Sequence, residues 1–292
     1  MELTVVGHLS RDLIITPEIK REVIGGGTAY AMLAPSIGTH TRIVSKIGHD
    51  FDEYLSVLQD SGLNLSALHR TSGQTTRFVN RYDSEGNRSQ SVEAVAPDIT
   101  GADVDEADVS GTIVHCCPLL GEVNVSFLEK AAQHASFVSL DIQGYLRQIH
   151  DQQVQLTEWN EKADILPFVD LVKADERELQ YATDSVEEEQ AAEHIMELGP
   201  CILLVTRNRR GSTIYTPAEK VDIPAIPPKE IVDVTGCGDT YSIGFLVEYS
   251  RTGDLPASGV FAAGCASFNL ETIGPYGMPS RSEVESRITG YL

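Results

Sequence analysis

Short apolar runs recur along this 292-residue chain, with helix-patterned segments between them. Leu3 to Gly7, Arg42 to Ser45, Thr112 to Cys116, Phe137 to Ile142, Leu171 to Ala174 and Ile202 to Thr206 read as strands, while Phe51 to Asp60 and Val123 to His134 carry helical apolar spacing. A strand that is apolar at consecutive positions is buried on both faces, which happens when helices cover both sides of a mainly parallel sheet. The predicted fold class is therefore α/β. Ligands of such sheets gather beyond the C-terminal ends of the strands, where Gly7, Asp141, Lys173 and Thr206 fall.

Two stretches break the alternation. Residues 12–24 and 63–95 carry β-branched residues alternating with polar ones, most clearly Thr75 to Tyr82 and Arg88 to Val92 about the turn Ser84-Glu85-Gly86-Asn87. They predict a small β lid, which leaves 1–11, 25–62 and 96–292 as the main domain. A lid excludes water from the site it covers, and its outer face is a candidate homodimer surface.

With 43 acidic against 22 basic residues the net charge is −21, which disfavours nucleic acid and anionic membranes as partners. No basic leader precedes Leu3 and no run of about eighteen apolar residues occurs, so the expected location is the cytoplasm. The five scattered cysteines have no metal-ligand spacing and are expected to be buried thiols.

The segment richest in chemistry is Asp233-Val234-Thr235-Gly236-Cys237-Gly238-Asp239, just before an expected helix from Tyr241 to Ser250. Gly236 and Gly238 lack the Cβ atoms that block close approach, and the free N–H groups of a helix's first turn attract an anion. An aspartate in that turn repels a phosphate that merely binds, so Asp239 fits better as a base acting on a neighbouring hydroxyl. A Walker loop is absent, and a dinucleotide fingerprint starting at Gly236 fails at Tyr241.

Asp-x-Thr-Gly-x-Gly-Asp resembles the C-terminal signature of the ribokinase-like (PfkB) carbohydrate kinases, with Cys237 where that family usually has alanine. The resemblance extends along nearly the whole chain. Gly25-Gly26-Gly27-Thr28-Ala29-Tyr30-Ala31 resembles the family's N-terminal glycine signature, with Tyr30 in place of asparagine, and Gly48-His49-Asp50 resembles its Gly-Asp turn. Lys173-Ala174-Asp175-Glu176-Arg177-Glu178 is similar to its Asn-x-x-Glu element, with Asp175 for asparagine. Val205-Thr206-Arg207 with Gly211-Ser212 resembles the nucleotide-side strand and turn, and the small-residue stretch Gly259 to Ser267 the helix beside the adenine.

The resemblance implies a three-layer αβα sandwich with a β lid, and an ATP-dependent kinase acting on a hydroxyl of a small polyol. Asp239 is then the base, with the amides of Gly236, Cys237 and Gly238 receiving the transferred phosphoryl charge. Asp175 and Glu178 organise Mg²⁺ through water; Lys173, Thr206 and Gly211 border ATP, with Arg207, Arg209 and Arg210 as further candidates for phosphate. Asp12, Gly26, Gly27, Gln143 and Arg147 surround the acceptor, Arg147 having structural pairing with Asp141 as its alternative role. Asp233 is a candidate for placing a monovalent cation such as K⁺. Asp141-Ile142-Gln143-Gly144-Tyr145-Leu146-Arg147 resembles the inositol-kinase-like branch and favours a cyclitol such as myo-inositol or a simple sugar. The alternatives are a nucleoside kinase of the same family, or a non-catalytic ligand-binding regulator on this fold.

Overall fold

A computed structural model describes residues 2–83 and 88–291. Its large sheet contains β1 (Leu3–Val6), β4 (Thr41–Ile47), β5 (Asn64–Arg70), β8 (Ile113–Cys116), β9 (Phe137–Asp141), β12 (Leu171–Asp175), β13 (Ile202–Thr206), β14 (Ser212–Tyr215) and β15 (Lys220–Ile223), in the order β15-β14-β13-β12-β9-β8-β1-β4-β5. Pairing is parallel from β13 through to β5, and β14 and β15 extend the sheet antiparallel. Alternate strand residues feed two separate cores. Val5, Ile43, Leu171 and Leu204 pack on one face with Ile243, Phe245 and Phe261; Val6, Val44, Val172 and Val205 pack on the other with Phe127, Leu179 and Ile195. Side chains alternate faces along a strand, so continuous apolar runs serve both cores and fix the register.

The smaller sheet contains β2 (Ser10–Ile15), β3 (Lys20–Gly25), β6 (Thr76–Tyr82), β7 (Arg88–Ala94), β10 (Arg147–His150) and β11 (Gln153–Leu156), in the order β10-β11-β7-β6-β2-β3. Its boundaries differ from those expected. Asn64–Arg70 joins the large sheet beside β4, because Leu65 and Leu68 pack on the main core. The hairpin 147–156 joins the lid instead, through Gln153 opposite Ser91 and a bond from the Val92 N–H to the Gln152 carbonyl at 2.8 Å. The turn Ser84-Glu85-Gly86-Asn87 lies outside the described residues.

Two helices also start differently. His49–Tyr54 is a 3₁₀ turn leading into the helix Leu55–Asp60, and the helix Val125–His134 begins after Asn124, whose side chain caps the Ser126 N–H at 3.0 Å. Cys116, Cys117 and Cys265 are buried, whereas Cys201 is exposed and Cys237 half-buried. Among the described residues no helix is long and apolar enough to cross a membrane.

Candidate active site

The helix expected from Tyr241 begins a turn earlier, spanning Cys237–Thr252. Gly236 precedes it at φ 76° and ψ 4°, the left-handed conformation that glycine adopts without strain. A Cβ there would overlap the Tyr30 ring, so glycine is required twice over. No side chain caps this N-terminus, which leaves its first amides to an external anion.

Asp239 lies in the first turn, half-buried. It meets the N-terminal glycine run directly: a Cβ on Gly27 would overlap Asp239 Oδ1, and one on Gly26 would overlap the His8 carbonyl. Burial, then the neighbouring charge of Asp141, raises the Asp239 carboxyl to about 7, with Lys173 and Arg147 opposing the rise. Asp239 therefore titrates near neutrality, as a general base acting on a hydroxyl should.

Lys173 on β12 is buried, its Nζ 2.9 Å from Asp141 Oδ2 and 3.8 Å from Glu178 Oε2. Adding a Cβ to Gly238 would place it 2.8 Å from Lys173 Nζ, so the ammonium touches the glycine turn. Coulombic attraction to Asp141 and Glu178 outweighs desolvation and raises the Lys173 pKa, keeping it charged. Asp141 also caps its own turn, accepting the Gln143 N–H at 3.0 Å. Arg147 donates to the Leu119 carbonyl at 3.4 Å and lies near enough to Asp239 to oppose its protonation.

Asp175 and Glu178 form a reciprocal capping box on the helix Glu176–Thr183: each accepts the other's backbone N–H at 2.7 Å. Glu178 Oε1 also accepts from Gln143 Nε2 at 3.1 Å, tying the turn after β9 to this helix. Asp175 and Glu178 are the residues here that could hold a hydrated Mg²⁺, through water. No group of three His, Cys, Asp or Glu among the described residues is arranged to ligate a metal directly.

Asp12 sits on the lid opposite Phe78, and its Oδ1 accepts the Ser10 hydroxyl at 2.7 Å. Cross-strand partners share a face, so Asp12 lies on the same side as Phe78 and Val92. That side packs on Leu119 and Leu120, from the loop after β8, and on Val154. Thr206 ends β13 in register with Asp175, and Gly211 at φ 81° has no room for a Cβ, which would overlap the Ile223 carbonyl. Arg207 and Arg210 pair with Glu188 and Glu176 respectively.

Three contributors carried no usable sequence signal. Tyr30, a departure from the glycine signature, donates its hydroxyl to the Thr235 carbonyl at 3.2 Å. Asn269 reaches the same carbonyl at 2.8 Å from the end of the helix Leu255–Asn269. Buried Glu122 accepts the N–H groups of His8 at 2.8 Å, of Leu119 at 2.9 Å and of Leu120 at 2.8 Å, fastening the exits of β1 and β8.

A model of the pfkB family carbohydrate kinases matches residues 2–281. Curated relatives include a cytidine kinase of Thermococcus kodakarensis, 29% identical over 86% of this chain and 89% of its own, and a nucleoside kinase of Methanothermobacter thermautotrophicus, 28% identical over 99% and 96%. Among solved structures, a pyrophosphate-dependent kinase in the ribokinase family complexed with a pyrophosphate analogue and myo-inositol superposes with a TM-score of 0.84 at 24% identity, covering 97% of this chain and 99% of that one. Arabidopsis thaliana ribokinase complexed with ribose and ATP superposes at 0.83 and 21% identity, covering 98% of each. With two glycine signatures meeting at one carboxylate and the family model spanning the chain, this protein belongs to the pfkB family carbohydrate kinases and is a phosphotransferase with an alcohol group as acceptor.

Proposed function

We propose that this chain transfers the γ-phosphoryl group of ATP to a hydroxyl of a nucleoside. The observation that carries phosphoryl transfer is the placement of Asp239 beside an uncapped, glycine-opened helix N-terminus, with Lys173 against the same turn. Asp239 takes the proton of the acceptor hydroxyl; the amides of Gly236, Cys237 and Gly238 receive the charge of the phosphoryl group in flight. Asp175 and Glu178 would hold Mg²⁺ through water, and bound there it would supply charge neutralisation at the ATP phosphates. Thr206 and Gly211 border the nucleotide, while Asp12, Gly26, Gly27, Gln143 and Arg147 border the acceptor.

The choice of a nucleoside is supported by the apolar contact among Phe78, Val92, Leu119 and Leu120 beside Asp12, which suits a base better than a ring bearing hydroxyls on every carbon. Cytidine and nucleoside kinases matched over nearly full length support the same class. A second reading, a sugar or a cyclitol such as myo-inositol, is favoured by the polar set Asp141, Gln143 and Arg147 on the acceptor side. Incubation with Mg-ATP and separate nucleosides, inositols, ketoses and aldoses, followed by ADP release and product identification, tests both. Cytidine or another nucleoside converted to its monophosphate is the expected result; turnover of inositol or sugars alone establishes the second reading.

A further inference from the structure

The Asp233–Gly238 turn is held by side chains at the atoms an alkali cation would use. A carbonyl oxygen carries two lone pairs. At Thr235 both are taken, one by the Tyr30 hydroxyl at 3.2 Å and one by Asn269 Nδ2 at 2.8 Å. Both donors are buried, Tyr30 at 2% and Asn269 at 3% exposure, so water does not compete for them. Asp233 Oδ1 is taken by the Thr235 N–H at 2.9 Å, and the Val232 and Asp233 N–H groups reach the Leu270 carbonyl at 2.7 and 3.3 Å. The turn is thus fastened to the end of the helix Leu255–Asn269 on one side and to the N-terminal glycine signature, through Tyr30, on the other.

We propose that the Tyr30 phenol and the Asn269 amide order this turn in place of a monovalent cation, so that phosphoryl transfer by this chain is indifferent to which alkali ion is present. An alkali ion exchanges its hydration shell for several carbonyl or carboxylate oxygens. Of the turn's own oxygens the Thr235 carbonyl is saturated and Asp233 Oδ1 is engaged, while Asn269 Oδ1 is buried without a hydrogen-bond partner. Tyr30 is a dependable donor: burial and the carboxylates of Asp239, Asp233 and Asp12 raise its pKa well above the usual phenol range. Its ring also lies where a Cβ of residue 236 would go, so the same side chain that fills the carbonyl braces the left-handed glycine.

The inference rests on the kinase reading for its rate measurement and not for its binding measurement. The full chain is assayed in LiCl, NaCl, KCl and CsCl at one ionic strength, by ADP release with the best acceptor and by calorimetric ATP binding. Rates and ATP affinities are expected to agree within about two-fold across the series, since screening of the acidic surface depends on ionic strength rather than ion radius. A ten-fold or larger preference for one cation in either measurement overturns the proposal. Tyr30→Phe, which frees one lone pair of Thr235, is expected to lower kcat about ten-fold with acceptor KM nearly unchanged, and to introduce a cation preference. A folded Tyr30→Phe protein identical to the parent in all three respects also overturns it. If that variant does not fold, the series on the parent chain decides; if no acceptor turns over, the ATP-binding series still does.

Discussion

Gly27 leaves room for Asp239 Oδ1 where its own Cβ would be, so that any side chain at residue 27 would displace that carboxylate. The two glycine signatures, from opposite ends of the chain, therefore form one object: the first supplies the empty space into which the second points its carboxylate. Gly27→Ala must push Asp239 or break the 3₁₀ turn Gly27–Met32 that carries it. Displacement of a catalytic group by about 1 Å costs about 100-fold. The expected outcome is a kcat lower by about that factor with ATP affinity retained, measured by steady-state kinetics and calorimetry. Retained kcat would show that the base sits elsewhere.

Asp239→Asn separates chemistry from stability. Turnover should fall by several powers of ten while ATP still binds. In the parent, kcat/KM should rise with pH up to about 7 and level off above, because the carboxylate is the active form and burial with Asp141 lifts its pKa to about 7. The same shift makes the carboxylate a liability for folding. The folded state holds the proton more tightly than the unfolded chain, where an aspartate titrates at its ordinary 3.8, so stability is lost as pH rises from there to about 7. Asn removes that penalty. The variant should melt about 2–4 °C above the parent at pH 8, and the two should converge near pH 4. Equal melting temperatures at pH 8 would contradict the burial assigned to the carboxyl.

Most of this centre was legible before any coordinates because its parts are local. Asp233 to Asp239 and Asp175 to Glu178 are contiguous segments before helix-patterned residues; the helix expected from Glu176 begins there, and the one expected from Tyr241 begins a turn earlier at Cys237. The strand cores were legible for the same reason: Val5 and Val6 face opposite layers, which a continuous apolar run requires. What escaped was non-local. The hairpin 147–156 is short and polar, and its place in the lid depends on Gln153 meeting Ser91, a pairing no window contains. Asn269 and Glu122 act through backbone groups far away in sequence, where any residue offers the same N–H or C=O. The ion pairs of Arg207 with Glu188 and of Arg210 with Glu176 are equally non-local, since the carboxylates belong to other elements.

Lys173→Met tests whether the buried ammonium tunes the base. Removing it leaves Asp141 and Glu178 without the charge that now compensates both, and takes away an opposing influence on the Asp239 pKa. The rising limb of the kcat/KM profile should move to higher pH by roughly one unit, beyond any loss of maximal rate. Lys173→Arg should fare no better, because the 2.8 Å between Nζ and a Cβ position on Gly238 leaves no room for a guanidinium. A pH profile unmoved in Lys173→Met would confine the lysine to a packing role.

Asp12→Asn asks whether the lid reads the acceptor. Asp12 shares its face with Phe78 and Val92, and its Oδ1 is steadied by the Ser10 hydroxyl, an arrangement that fixes an acceptor-only group over the cleft beside an apolar surface. The asparagine keeps the shape but replaces one oxygen with a donor, so a substrate hydroxyl that donated to the carboxylate loses a charge-assisted bond worth about 1.5–3 kcal/mol. Acceptor KM should therefore rise roughly 10- to 100-fold while ATP KM stays within about two-fold, because the proposed nucleotide side, at Asp175 and Thr206, belongs to the other sheet. An effect on ATP KM with acceptor KM unchanged would reverse the assignment of the two sides of the cleft, and the same pair of constants measured with a nucleoside and with myo-inositol would show which acceptor the lid holds.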